Sequence, residues 1–80
     1  MKLIELTEFL IKNICKNPDM VSVKQFENDD EINIEVLVAE SDMGIVIGRG
    51  GKNANAIRTI VQAASYIQKN KPVKINIDSF

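Results

Sequence analysis

Ile45-Val46-Ile47-Gly48-Arg49-Gly50-Gly51-Lys52-Asn53-Ala54-Asn55-Ala56-Ile57 sets three glycines within four residues between two apolar-patterned segments. A helix that merely ends needs one C-capping glycine. Gly48 is predicted to close a short helix with positive φ, and Gly51 to open the next one. Between them Arg49 and Gly50 form a tight, protruding loop poor in side chains, which lets another backbone come close. The loop lies at the N-terminus of a longer helix, where free amides and the positive end of the dipole favour an anion. Arg49 and Lys52 flank it with mobile positive charge. A phosphate group is the natural ligand of such a loop.

Working outward, Lys52 to about Lys69 has helical period, with Ala56, Ile60, Ala63, Ala64 and Ile67 as one stripe and Ile57 and Val61 beside it. Asn70-Lys71-Pro72 ends that helix. Val73, Ile75 and Ile77 then alternate with Lys74, Asn76 and Asp78 as a strand. Upstream, Ser41 or Asp42 is placed to cap the short helix before the glycines. Ile32, Ile34, Val36 and Val38 alternate with Asn33 and Glu35, and Leu37 interrupts the polar side, which predicts partial cover on both faces. With Met20 to Phe26 and the polar turn Glu27-Asn28-Asp29-Asp30, this strand reads as the second arm of a β-hairpin. Residues 2–16 open the chain as a helix, with Leu3, Leu6, Leu10 and Ile14 at three- and four-residue steps and Phe9, Ile11 and Cys15 widening the stripe. Asn17-Pro18 stops it. The order α-β-β-α-α-β predicts an α+β fold, a three-stranded sheet with its helices packed on one face.

Composition narrows the function classes. Eighty residues allow one small domain. With 45% apolar and 26% charged residues the chain has the balance of a packed globular protein. No window is apolar enough to span a membrane, and the acid at Glu5 interrupts the N-terminal apolar stretch, which does not read as a secretory signal. There is no histidine, and Cys15 is the only cysteine, so neither an internal disulfide nor a cysteine-histidine zinc site is available. Nothing pairs a nucleophile with a base, so no enzyme, cofactor or metal is expected. The expected setting is cytoplasmic. Net charge is −1, yet its distribution is uneven: residues 1–40 hold nine acids and four lysines, residues 41–80 six basic side chains and two acids. That split points to a local basic face in the second half.

Spacing discriminates among phosphate-binding loops. A Walker A loop requires glycine where Val46 stands and Ser or Thr where Asn53 stands; a dinucleotide fingerprint starting at Gly48 requires a third glycine, again at Asn53. Both fail. The remaining pattern is the G-x-x-G loop between two helices with which KH domains clamp a nucleic-acid backbone.

Ile47-Gly48-Arg49-Gly50-Gly51-Lys52 followed by Ile57 resembles the core signature of KH domains, and the element order is similar to their bacterial, type II arrangement. The resemblance spans residues 1–80, as a single KH domain. It is nearest to small bacterial single-KH proteins of the KhpA type, through Asp42-x-Gly44-x-Val46-Ile47-Gly48 and Ala54-x-Ala56-Ile57-Arg58-Thr59. Ala54 stands where other KH domains often carry a larger aliphatic residue. The resemblance implies a non-catalytic protein that binds single-stranded RNA, with Gly48, Arg49, Gly50, Gly51 and Lys52 on the sugar-phosphate backbone. It implies Ile45, Ile47 and Ile57 on the apolar side of a base groove, and Arg58 as a second-rank phosphate contact. It further implies pairing, as a homodimer or with a KhpB (Jag/EloR)-type KH protein. An RNA-chaperone or post-transcriptional role linked to cell elongation and envelope homeostasis goes with it. The aromatic residues Phe9, Phe26, Tyr66 and Phe80 all lie outside the loop, so recognition by aromatic stacking is not expected. A second reading, favoured by the acidic first half, is a protein-interaction module with the KH fold that has lost RNA binding.

Overall fold

A computed structural model describes residues 1–80. Helix α1 spans Leu3–Ile14, strand β1 Ser22–Glu27, strand β2 Ile32–Val38, helix α2 Met43–Ile47, helix α3 Lys52–Ile67 and strand β3 Val73–Ser79, with 3-10 turns at Pro18–Met20, Glu40–Asp42 and Arg49–Gly51. The strands lie in the order β1-β2-β3. β1 is antiparallel to β2, with Val23 opposite Val36, and β3 runs parallel to β2, with Ile34 opposite Ile75. The expected α+β order and three-stranded sheet are both present.

The alternation in β2 explains its central place. Ile32, Ile34, Val36 and Val38 are at most 1% exposed and face the helices, while Asn33, Glu35 and Leu37 turn to the open side. Each such aliphatic removes enough apolar surface from water to contribute about 1.5–3 kcal/mol. Leu3 and Ile11 of α1, Val46 of α2, Ile57 and Val61 of α3 and Ile75 of β3 complete the core. A parallel neighbour cannot be reached by a tight turn. The chain therefore crosses the sheet through α2 and α3, and the glycine loop is the corner of that crossover.

Three expectations need correction. In α3 the buried positions are Ala54, Ile57, Val61 and Ser65; Ile60 and Ile67 of the anticipated stripe are 45% and 77% exposed, and Ala56 and Ala63 are exposed too. The helix carries two apolar stripes, and polar clasps beside the first one select it. Gln62 Oε1 accepts the Val73 N–H, Arg58 Nε donates to the Ile75 carbonyl, and Ser65 Oγ donates to the Lys71 carbonyl. In α1 the centre of the buried face is Thr7, whose hydroxyl donates to the Leu3 carbonyl at 2.8 Å, and Phe9 is 57% exposed instead of widening the stripe. Neither Ser41 nor Asp42 caps α2.

Asp42 has a different task. It is fully buried, and its carboxylate accepts the backbone N–H groups of Lys16 and Asn17, each at 3.0 Å, tying the chain after α1 to the entry of α2. Burial pushes the Asp42 carboxyl up. The two backbone N–H groups, the Asn17 side-chain amide and the Lys16 charge outweigh that and hold it below the usual carboxylate range. Nearby Cys15 moves the other way: burial, then the Asp42 charge, raise its thiol, so it stays protonated and inert at neutral pH.

The end of α3 stores a small strain. Lys69 adopts φ +57°, a left-handed position usually given to glycine, while its N–H and that of Asn70 bond back to the Tyr66 and Ser65 carbonyls. Lys69→Gly is expected to raise stability by about 0.5–1 kcal/mol, read as a higher thermal midpoint by circular dichroism with unchanged helix content.

Candidate nucleic-acid interface

The corner between α2 and α3 is built almost wholly from backbone. Gly48 ends α2 with φ +77° and ψ 170°, a combination essentially restricted to glycine, and its N–H bonds to the Gly44 carbonyl. A β-carbon there would come within 2.8 Å of the Asn53 side chain and 2.9 Å of its backbone nitrogen. Asn53 is fixed because its Nδ2 donates to the Ile45 carbonyl at 2.7 Å, satisfying an orphan carbonyl of the short helix. The turn closes with Gly51 N–H on the Gly48 carbonyl at 3.1 Å. Gly50, at its tip, has φ +64° and open space where a β-carbon would stand. Gly51 precedes α3 with no side chain to cap the helix.

The sequence-predicted residues come together here, with one exception. Arg49, Gly50 and Lys52 are exposed and Gly48 and Gly51 partly so. Two ion pairs form in the molecule, Lys12–Glu8 and Lys71–Glu27, so Arg49, Lys52 and Arg58 all stand without a carboxylate partner. Ile45 is 42% exposed and Ile47 half-buried, which leaves both with apolar surface beside the loop. Ile57 is the exception. At 6% exposed it belongs to the core under α3, because it lies on the stripe that faces the sheet.

Further along α3 from the loop, a cleft of about 910 Å³ lies between α3 and the outer edge of β3, with Arg58, Thr59, Gln62, Tyr66 and Ile67 on the helix side, Val73, Lys74 and Ile75 on the strand side and Glu31 beside them. Asn55 links loop and cleft, since its Oδ1 accepts from Arg58 Nη1 at 3.3 Å. Sequence reasoning missed Thr59, Gln62 and Tyr66 as lining residues. Their steps of three and four from Asn55 were the available signal. That signal needed the rotation of α3 about its axis, which the two apolar stripes left ambiguous.

The family model described as KhpA/KhpB, KH domain matches residues 4–77. The chain belongs to the KhpA/KhpB KH-domain family. Among curated KhpA relatives, the RNA-binding protein KhpA of Caldanaerobacter subterraneus subsp. tengcongensis is 42% identical over 69 residues, covering 86% of this chain and 92% of the relative. The RNA-binding protein KhpA of Clostridium perfringens is 41% identical over 73 residues, covering 91% of this chain and 96% of the relative. Among solved structures, Aquifex aeolicus Era superposes with a TM-score of 0.75 at 16% identity over 98% of this chain and 30% of the longer Era chain. At that identity Era supports the fold alone.

Proposed function

We propose that this KH protein, one KH domain over residues 1–80, clamps the sugar-phosphate backbone of single-stranded RNA and catalyses no reaction. The observation that carries this reading is the glycine corner: open space at Gly50, flanked by Arg49 and Lys52 without carboxylate partners. Gly48, Arg49, Gly50 and Gly51 lie against the backbone and Lys52 adds charge. Ile45 and Ile47 offer apolar surface to the bases. Arg58, anchored through Nε and Nη1, keeps Nη2 for a second phosphate. The relatives named RNA-binding proteins support the same reading.

One loop and two or three charges neutralise few phosphates, so affinity is modest. A plot of log affinity against log salt is expected to have a slope near −2, at about 0.7 per neutralised phosphate for a single strand. Titration of an unstructured oligoribonucleotide at several salt concentrations measures it. A module this weak gains from pairing, because a second linked clamp raises effective concentration. The exposed Ile60 and Ile67 face of α3 supports pairing with a second copy or a KhpB-type partner. The resemblance extends the reading to an RNA-chaperone or post-transcriptional role in the cytoplasm, tied to cell elongation and envelope homeostasis.

That same α3 face favours a second reading, a dimerisation module without RNA binding. Gel filtration beside the salt titration separates the two. A stable dimer with no salt-sensitive RNA binding would select the scaffold.

A further inference from the structure

The clamp reading, on which this inference rests, leaves one conspicuous residue without a task. Tyr66 is 82% exposed, and its hydroxyl makes no hydrogen bond within the molecule. It lines the α3–β3 cleft at the end away from the glycine corner, with Arg58 at the end nearer that corner. Asn55, Thr59, Gln62 and Tyr66 follow one another at steps of four, three and four residues, so they form a single line along α3. That line is polar and faces the β3 edge. Its positions are held: Thr59 Oγ1 donates to the Asn55 carbonyl, and Gln62 is fixed by the Val73 N–H. From Gly51 to Tyr66 the helix rises about 22 Å at roughly 1.5 Å per residue. A strand gripped at the loop and laid along this line would bring a later base over the phenol ring.

We propose that Tyr66, although outside the loop and so not expected from the sequence to stack on a base, is a stacking platform for a nucleobase at the far end of an RNA track that starts at the glycine loop. The occupant is RNA because basic charge outweighs acid along the track: Arg49, Lys52 and Arg58 lie along its first part without ion pairs, and Arg58 and Lys74 line the cleft against the single acid Glu31. Stacking on an aromatic face tolerates any base. Gln62 keeps its Nε2 donors free beside the ring and supplies a polar contact to a base edge. Tyr66 sits about 100° round the helix from Ile67, and both line the cleft, so the ring has an apolar neighbour beside the polar line.

The chain has one tyrosine and no tryptophan, so its intrinsic tyrosine emission reports on Tyr66 alone. Adding a short unstructured oligoribonucleotide of mixed sequence is expected to quench that emission in step with binding followed by anisotropy of a labelled strand. Tyr66→Ala is expected to weaken binding about tenfold, Tyr66→Leu comparably, and Tyr66→Phe to bind as the parent does. Circular dichroism checks that the fold survives, as an exposed position should allow. Unchanged affinity in Tyr66→Ala, with binding lost in Gly50→Asp, would overturn the platform and keep the clamp. Unchanged affinity in both variants would overturn the clamp itself. Emission that responds to protein concentration and ignores RNA would assign Tyr66 to a protein contact and overturn the platform.

Discussion

Gly50→Asp is expected to abolish detectable binding of single-stranded RNA while lowering the thermal midpoint by only about 4–8 °C and leaving helical content unchanged. The two halves of that result have separate causes. At φ +64° and ψ 20° Gly50 is left-handed, a conformation that aspartate tolerates better than most side chains at a cost of about 1 kcal/mol. Its missing β-carbon faces open space, so the new side chain meets no neighbour. The carboxylate would stand at the tip of the loop, beside the charges of Arg49 and Lys52. It would pair with them and repel the phosphate they otherwise attract. A loss of at least a hundredfold in affinity follows from removing two charge-assisted contacts and adding a repulsive one, each worth about 1.5–3 kcal/mol. The variant at Gly48 would give a less useful answer, because a side chain there collides with Asn53 and disturbs the fold. Anisotropy titration with circular dichroism on the same samples checks the prediction, and parental affinity in Gly50→Asp would refute the clamp.

Asp42→Asn is expected to give the largest stability loss of any single polar substitution, lowering the thermal midpoint by on the order of 10 °C. The carboxylate is fully buried and holds two backbone N–H groups that have no other partner. An amide offers one acceptor oxygen and turns its own donors toward the second N–H. The pH dependence follows from the direction of the shift. The folded pKa of Asp42 lies below the unfolded value, so its stabilisation is fully present above about pH 3.9 and is lost as pH falls through the folded pKa. Thermal midpoints of the parent should therefore fall more steeply than those of Asp42→Asn below about pH 4. Parallel curves for the two proteins would show that this carboxylate does not carry the acid sensitivity.

One prediction concerns a residue inside the deciding stretch and the other a residue three positions before it, yet only the first was legible there. The three glycines announce an unusual backbone by themselves, because no other residue needs to be present for positive φ to favour glycine. The strict alternation of Ile32 through Val38 likewise identified the central strand, since burial on one face leaves its mark at every second position. Asp42 looked like a local cap because its true partners, Lys16 and Asn17, lie 26 and 25 residues away and neither advertises the contact. The rotation of α3 was hidden for a related reason. Apolar residues occupy two of its stripes, and the choice was made by Arg58, Gln62 and Ser65, whose partners sit on and before β3. With that rotation unknown, Tyr66 could not be assigned to the cleft.

The clasp of Arg58 and Gln62 on β3 has a consequence beyond the placement of a helix. β3 is a terminal member of its sheet, and a terminal strand with unmet amides and carbonyls invites the strand of another molecule to zip onto it. By occupying the Val73 amide and the Ile75 carbonyl, the two side chains interrupt that ladder at two of its rungs. The protein can hold a groove open beside a sheet margin, as a nucleic-acid binder must, without offering its neighbours a seam along which to polymerise.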